Sequence, residues 1–350
     1  KNKNKVKKYI MKKIIILGGA GYIGTVLTDL LLKKKFAVVS IDSLKFGFEP
    51  IKSFLENRNF RFYKLNTSNS KDIAKISTNS FAVVDLSGLV GDPACSINKK
   101  NTLNSNYYNT KKIIDELKGK NIEKFIYASS CSVYGSSVGK QLINEKSKVK
   151  PISLYAELKI KCEKYLLSNS RLDFSPTILR LATVFGFSPR QRFDLVINLF
   201  TLFSFMGKKI QVFGGEQYRP NVHVYDVAVA ILKSIKAKKK LTHKQIFNVG
   251  STTQNKKIKD IAKIIARNHK NTKIVVKKSM IDLRDYHIDF SKIKSVLAFN
   301  TKFSISSGSK DLFEKLKKNK ILRKNLKKYS NYKVEAKKYA KQIEYKKKLK

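Results

Sequence analysis

The sequence predicts an α/β protein built on a doubly wound parallel sheet, with a smaller C-terminal α/β lobe over its ligand-binding edge. Two observations carry that prediction. Short apolar runs of strand character, at 14–17, 38–41, 61–65, 82–86, 124–129 and 177–181, alternate with helical patterns, and such alternation builds a parallel sheet with helices on both faces. The first run leads straight into Gly18, Gly21 and Gly24, spaced three apart.

Residues 1–10 are mostly Lys and Asn, without hydrophobic periodicity or the apolar core of a secretory signal, and read as a basic, disordered leader. Met11, followed by two lysines and a strand, reads as a natural start. After the strand, Gly18 permits a tight turn, Gly21 lets the backbone approach a pyrophosphate, and Gly24 lets the next helix lie close to the sheet. That helix, 22–32, begins with Tyr22 and Ile23 and points its first amides and positive dipole end at the phosphates. The next strand ends in Asp42, placed to accept hydrogen bonds from an adenosine ribose 2′-OH. This favours NAD over NADP, although Lys45 lies near enough to weaken the preference. A glycine-rich turn can also merely close a strand–helix corner, but strand, glycines, helix, strand and acid in this order point to a Rossmann-type dinucleotide site. Ligands in such sheets bind outside the carboxyl ends of the strands. The informative residues therefore include Asn66, the run Leu86, Ser87, Gly88 to Val90, and 129–134.

From Gly186 the pattern loosens into a smaller substrate-covering lobe, with a helix from Asp194, a strand-like run at 211–215 and Arg219-Pro220. The segments 222–235 and 245–248 are expected to return to the main sheet, before a helix at 258–266 and a strand at 274–277. This divides the chain into a dinucleotide-binding domain at 11–185, with a returning segment at about 222–250, and a lobe at 186–221 and 251–310. Residues 311–350 form a basic tail. In it Leu322, Leu326, Tyr329, Ala336, Ala340 and Ile343 recur at helical spacings, so a lysine-flanked amphipathic helix would dock on the domain, bind an acidic partner or fray.

At 350 residues the chain can bury a substantial core. Its formal net charge of +49 raises nucleic acid or an anionic membrane as partners. The lysines are spread over nearly every segment, however, as in a compositional bias of the whole sequence, so nucleic acid is not the expected partner. Cys95, Cys131 and Cys162 have neither metal-ligand spacing nor an even count, which fits plain thiols in a reducing compartment. No apolar run reaches the roughly 18 to 20 residues of a membrane span; 195–206 is too short and is interrupted by Asn198 and Ser204. A cytoplasmic protein is expected.

Tyr155 and Lys159 sit four apart, on one face of a helix. Lysine is so frequent that Tyr9, Tyr107, Tyr108 and Tyr329 share the spacing. Position singles out Tyr155, because a strand ending at Ser129-Ser130 lies upstream and can bring a serine hydroxyl to the same pocket.

Here the sequence resembles the extended short-chain dehydrogenase/reductases, specifically the NAD-dependent sugar-nucleotide epimerase/dehydratase family that includes UDP-glucose 4-epimerases. The resemblance runs from about Met11 to Phe313 through ordered landmarks: residues 18–24, the Ser130 segment, Tyr155 with Lys159, Leu179-Arg180 before 184–186, Arg219 before 222–228, and Asp282-Leu283-Arg284-Asp285-Tyr286 with Ser291-Lys292. It implies NAD as cofactor, a nucleotide-diphosphate sugar as substrate and a homodimer paired through the Tyr-bearing helix and its neighbour.

Oxidising a sugar hydroxyl requires a base that takes its proton while hydride leaves, yet a phenol with a pKa of about 10 is mostly protonated at neutral pH. Lys159 and the cationic nicotinamide would both favour the phenolate; lowering the pKa by about 3 units takes about 4 kcal/mol. Ser130 would hydrogen-bond the reacting oxygen, and Asn106 would orient Lys159 through backbone or water. The resemblance implies a substrate-facing set of Ser130, Thr183, Arg192, Asn198, Arg219 and Arg284. Arg219, with Arg190 or Arg192, would clamp the diphosphate. The chain departs from the family at Ser279, where Arg is usual and Arg284 compensates, at Asp85, where His is usual, at Asn66, where Asp is common, and at Thr183, where Asn often stands. Dehydratases of the family carry an Asp-Glu pair after the active-site hydroxyl residue, whereas this chain has Cys131 and Ser132. A 4-epimerase working through a transient 4-keto sugar is the expected activity, with a nucleotide 4-keto-sugar reductase or a non-catalytic RNA-binding member of the fold as alternatives.

Overall fold

A computed structural model describes residues 11–136, 142–169, 173–269, 272–277, 284–319 and 326–348. Ser279, Asp282, Leu283 and Leu322 lie outside them. The main sheet holds β1 (Lys13–Leu17), β2 (Ala37–Asp42), β3 (Phe60–Lys64), β4 (Ala82–Asp85), β5 (Lys124–Ser130) and β6 (Ser175–Leu181). With β7 (Thr183–Phe185), β8 (Ile210–Phe213) and β9 (Tyr218–His223) placed elsewhere, β10 (Gln245–Val249) is its seventh strand. The spatial order is β3-β2-β1-β4-β5-β6-β10, and every neighbouring pair is parallel. The chain runs outward from β1 through β2 and β3, then returns to build the other half from β4. That reversal opens a crevice at the carboxyl ends of β1 and β4, where open sheets of this kind take their ligands.

Burial on both faces explains the near-continuous apolar strands. Ile14 and Ile16 of β1 pack on one face, with Leu27 and Leu31 of α1 (Tyr22–Lys33). Ile15 and Leu17 pack on the other, with Ile73 of α2 (Ser70–Ser77). Two short helices, α3 (Asp92–Ile97) and α4 (Lys99–Leu103), lead through one wide π-type turn into α5 (Asn109–Glu116), whose Ile113 and Ile114 join the second face. So does Leu166 of α6 (Leu154–Ser168), the helix that carries Tyr155 and Lys159.

The lobe has its own core. Ile197 and Phe200 of α7 (Val196–Phe205) meet Ile210 and Val212 of β8. On the first face of the main sheet lies α8 (Val224–Lys236), with α9 (Lys239–Thr242) leading into β10. Then β11 (Asn255–Lys257) precedes α10 (Ile258–Asn268), whose Ile261 and Ile265 complete the lobe core, and β12 (Ile274–Lys277) pairs with β8. Of the expected returning segments, 245–248 joins the main sheet within β10 and most of 222–235 packs on it as α8, whereas β9 pairs with β7 and β11 in a separate three-stranded sheet. Residues 219–223 of β9 are buried although the run is mostly polar, so no apolar pattern revealed which sheet they enter.

After α11 (Ser291–Leu297), α12 (Ile305–Lys318) buries Leu312 and Leu316 completely. The expected boundary at 310/311 thus falls inside a helix. A 3-10 turn, Leu326–Tyr329, precedes α13 (Asn331–Lys348), so the tail is helical but broken at Ser330, and its docked face carries Asn331 and Glu335 rather than an apolar stripe. Among the described residues, no helix is long and apolar enough to cross a membrane.

Candidate active site

A cavity of about 590 Å³ opens at the carboxyl ends of the main-sheet strands. On the β1–β3 side its wall contains Gly18, Gly21, Tyr22, Ile23 and Gly24, with Asp42 and Asn66 beyond them. Gly18 has φ of 80°, and a Cβ there would meet the Leu86 carbonyl oxygen at 2.9 Å. Gly21 caps α1 without a side chain over the first-turn amides, leaving a helix N-terminus suited to an anion. The Asp42 carboxylate accepts from the amides of Leu44 (2.8 Å) and Ala20 (3.1 Å), which fixes it at the end of β2. Burial pushes its pKa up, opposed by those amides and by the charge of Arg190. Lys45 forms an ion pair with the buried Glu335, so its charge is already matched.

On the β5–β6 side the wall contains Ser130, Tyr155, Lys159, Thr183, Arg192 and Arg284. Ser153 caps α6, accepting from the Ala156 amide at 3.3 Å, while its hydroxyl donates to Asp92 at 2.7 Å. That cap sets the rotation of α6 and turns positions 155, 159 and 163, one helical face, toward β5. Ser130 ends β5, where its oxygen accepts from the Ser132 amide (3.1 Å) and hydroxyl (2.9 Å). The Tyr155 phenol lies on the same wall, and the serine acts to lower its pKa. Lys159 is 5% exposed; its ammonium donates to the Ala128 carbonyl at 2.7 Å and stands 4.6 Å over the Tyr127 ring and 5.8 Å from the Tyr155 ring centre.

Burial drives the electrostatics here. It pushes the Tyr155 phenol above its usual range, with Cys95 and Asp92 adding to the effect, while Arg192 and Ser130 oppose it. Arg192 thus joins Lys159 as a cation of the wall near the phenol, the Lys159 ammonium being anchored on Ala128 and Tyr127. Burial also pushes Lys159 down, and Asp85 does most to hold it charged.

Three expected site residues lie behind the wall. The Asn106 side chain accepts from the Leu89 amide and donates to the Leu89 carbonyl, both at 2.7 Å, so it braces the loop after β4 rather than Lys159. Asn198 is fully buried, accepts from the Gly186 amide at 2.8 Å and donates to the Arg192 carbonyl at 2.9 Å, which fixes the segment bearing Arg192. Arg219 donates to the carbonyls of Tyr218 (2.8 Å) and Arg284, and so supports the Arg284 segment from behind instead of facing a diphosphate. Arg192 and Arg284 do face the cavity, each held by a carboxylate: Arg192 on Asp194 at 2.8 Å and Arg284 on Asp92 at 2.6 Å. Leu86, Ser87 and Gly88 line the wall as expected.

The sequence reading missed Asp92 and Glu163. Glu163 binds Arg180 through two nitrogens, with Nη2 at 2.6 Å, and accepts from Ser129, tying α6 to β5 and β6. Its signal was there: it follows Lys159 by four residues on the same helical face.

A family model described as the NAD dependent epimerase/dehydratase family matches residues 14–250. Protein CapI of Staphylococcus aureus is 31% identical over 234 residues, covering 64% of this chain and 69% of that protein. A UDP-glucuronate 4-epimerase of Thermodesulfobacterium geofontis is 28% identical over 336 residues, covering 89% of this chain and 98% of its own. The crystal structure of a Bacillus cereus UDP-glucuronic acid 4-epimerase, in complex with UDP-glucuronic acid and NAD, superposes with a TM-score of 0.77 at 24% identity, over 87% of this chain and 99% of that one.

Proposed function

Because this chain belongs to the NAD dependent epimerase/dehydratase family, we propose that it inverts C4 of a nucleotide-diphosphate sugar through a 4-keto intermediate. The residues fit the cofactor: a bare helix N-terminus at Gly21 suits the pyrophosphate, and Asp42, with nearby Lys45 paired to Glu335, suits a ribose diol. Bound NAD supplies the hydride acceptor and donor.

The observation that carries the reading is that Ser130, Tyr155 and Lys159 come together on the cavity wall, with the Lys159 ammonium 5.8 Å from the Tyr155 ring centre. A C4 hydroxyl between the serine and the phenol would lie within reach of both. The phenolic oxygen takes its proton as hydride leaves C4 and returns it to O4 as hydride comes back to the other face. Burial leaves the phenol protonated, so the site depends on cations, Lys159 and Arg192, to make the phenolate accessible. Arg192 and Arg284, oriented by Asp194 and Asp92, would hold the diphosphate while the sugar turns.

Epimerisation is favoured over dehydration by the residues after Ser130. The Cys131 thiol is buried, donates to the Arg180 carbonyl at 3.3 Å and is pushed up by that burial, and the Ser132 hydroxyl is spent on Ser130. Neither can serve as an acid–base pair for losing water. The relative named for 4-epimerisation of UDP-glucuronate supports the same reaction.

The test uses UDP-glucose and UDP-glucuronate carrying deuterium at C4, incubated with the protein and NAD. A 4-epimer that keeps its deuterium supports the proposal. Stoichiometric consumption of NADH with a 4-keto sugar would make the protein a reductase, and absence of turnover with either sugar would overturn the assignment.

A further inference from the structure

Residues 326–348 lie against the dinucleotide side of the cavity, and Asn331 and Lys338 form part of its wall. Asn331 is 2% exposed: Arg190 donates to its Oδ1 at 2.6 Å, and its Nδ2 donates to the Val90 carbonyl at 3.1 Å. Glu335, 6% exposed, pairs with Lys45. Two side chains one helical turn apart therefore tie together three loops, those after β2, β4 and β7, which border the pocket. Arg190 in turn stacks on Phe46, 3.8 Å from the ring centre.

The segment is held unevenly along its length. Tyr329 is buried against Phe193, with a main-chain hydrogen bond of 2.8 Å between them, whereas Tyr332 and Tyr339 of α13 are 49% and 38% exposed. The entry to the helix is anchored by apolar packing, and the helix itself by polar pairs that water can replace at small net cost.

We propose that α13 is a cofactor-retaining clamp: docked, it completes the dinucleotide pocket, and NAD leaves only when Asn331 and Glu335 let go. The inference rests on NAD binding and not on the sugar chemistry, although an enzyme that returns hydride to the same sugar gains from keeping its cofactor.

The clamp is tested in the full-length protein by the release rate of fluorescent NADH, displaced by excess NAD. In an Asn331→Ala/Glu335→Gln variant release should be faster by about tenfold or more. Linkage requires the reverse as well, so saturating NAD should slow amide hydrogen exchange across 331–341 of the unaltered protein by a comparable factor. An unchanged release rate in a folded variant, or exchange in the helix indifferent to NAD, overturns the clamp. Should the variant fail to fold, the exchange experiment on the unaltered chain decides. Neither readout requires turnover, so loss of the epimerase reading would leave both intact.

Discussion

Asp85, buried at 1% exposure, and Lys159 of the cavity wall, at 5%, sustain each other's charge. Burial pushes the carboxyl up and the ammonium down, and each charge opposes the other's shift. Asp85 Oδ1 is held by the Ser87 amide (2.9 Å) and hydroxyl (2.6 Å), so the carboxylate cannot swing away. An Asp85→Asn variant should lower the Lys159 pKa further, because the carboxylate that opposes its fall is gone. If turnover needs the cation, the alkaline limb of the kcat profile moves to lower pH in the variant. An unmoved limb would mean that the pair is structural.

Glu163 and Arg180 form a buried ion pair that joins α6 to the sheet. Removing one partner strands a buried charge, so Glu163→Gln should lose about 3 to 5 kcal/mol of stability in urea unfolding. Replacing both, as Glu163→Leu/Arg180→Met, should lose much less than the sum of the single variants. Additive losses would contradict a coupled pair.

His223 predicts an acid-sensitive fold. Its ring stacks on Phe303, with centres 4.1 Å apart, and burial pushes its pKa from 6.5 down to about 4. The folded value lies below the unfolded one, so between them the unfolded chain binds more protons. Stability is full above about pH 6.5 and falls by about 3 kcal/mol as the pH drops to about 4. Comparing urea midpoints at pH 7 and 5 for the protein and a His223→Gln variant isolates this slope; equal slopes would contradict it.

Gly24 predicts a steric failure at the cofactor corner. A Cβ there would lie 2.4 Å from the Gly18 carbonyl oxygen and 2.7 Å from the Gly19 Cα. Both are backbone atoms and cannot yield, so Gly24→Ala must push α1 off the turn. NAD binding, measured by calorimetry, should be lost, and stability should fall by about 1 to 3 kcal/mol. Retained affinity would mean that the helix N-terminus is not the phosphate site.

What the sequence made legible was local. The glycine corner and Asp42 declared themselves because backbone conformation and strand ends are set by nearest neighbours, and the six first strands fall close to where alternation placed them. Tyr155 and Lys159 were legible as a helical pair. Asn106, Asn198 and Arg219 were not, because an asparagine or arginine reads the same whether it faces a ligand or a carbonyl in the wall behind it. The sequence left open whether the tail helix docks, binds an acidic partner or frays, because its buried face is polar, and in a chain this rich in lysine a buried Glu335 has no signature until Lys45 is seen beside it.

The most direct test of the proposed site follows reduction of bound nicotinamide, by its absorbance, when UDP-glucuronate or UDP-glucose is added to NAD-loaded protein and to a Tyr155→Phe variant. The account predicts a rise in the unaltered protein and a rate lower by about 100-fold or more in the variant, with NAD bound equally by both. Equal rates in the two proteins would contradict it, because the phenolic oxygen would then take no part in moving the proton.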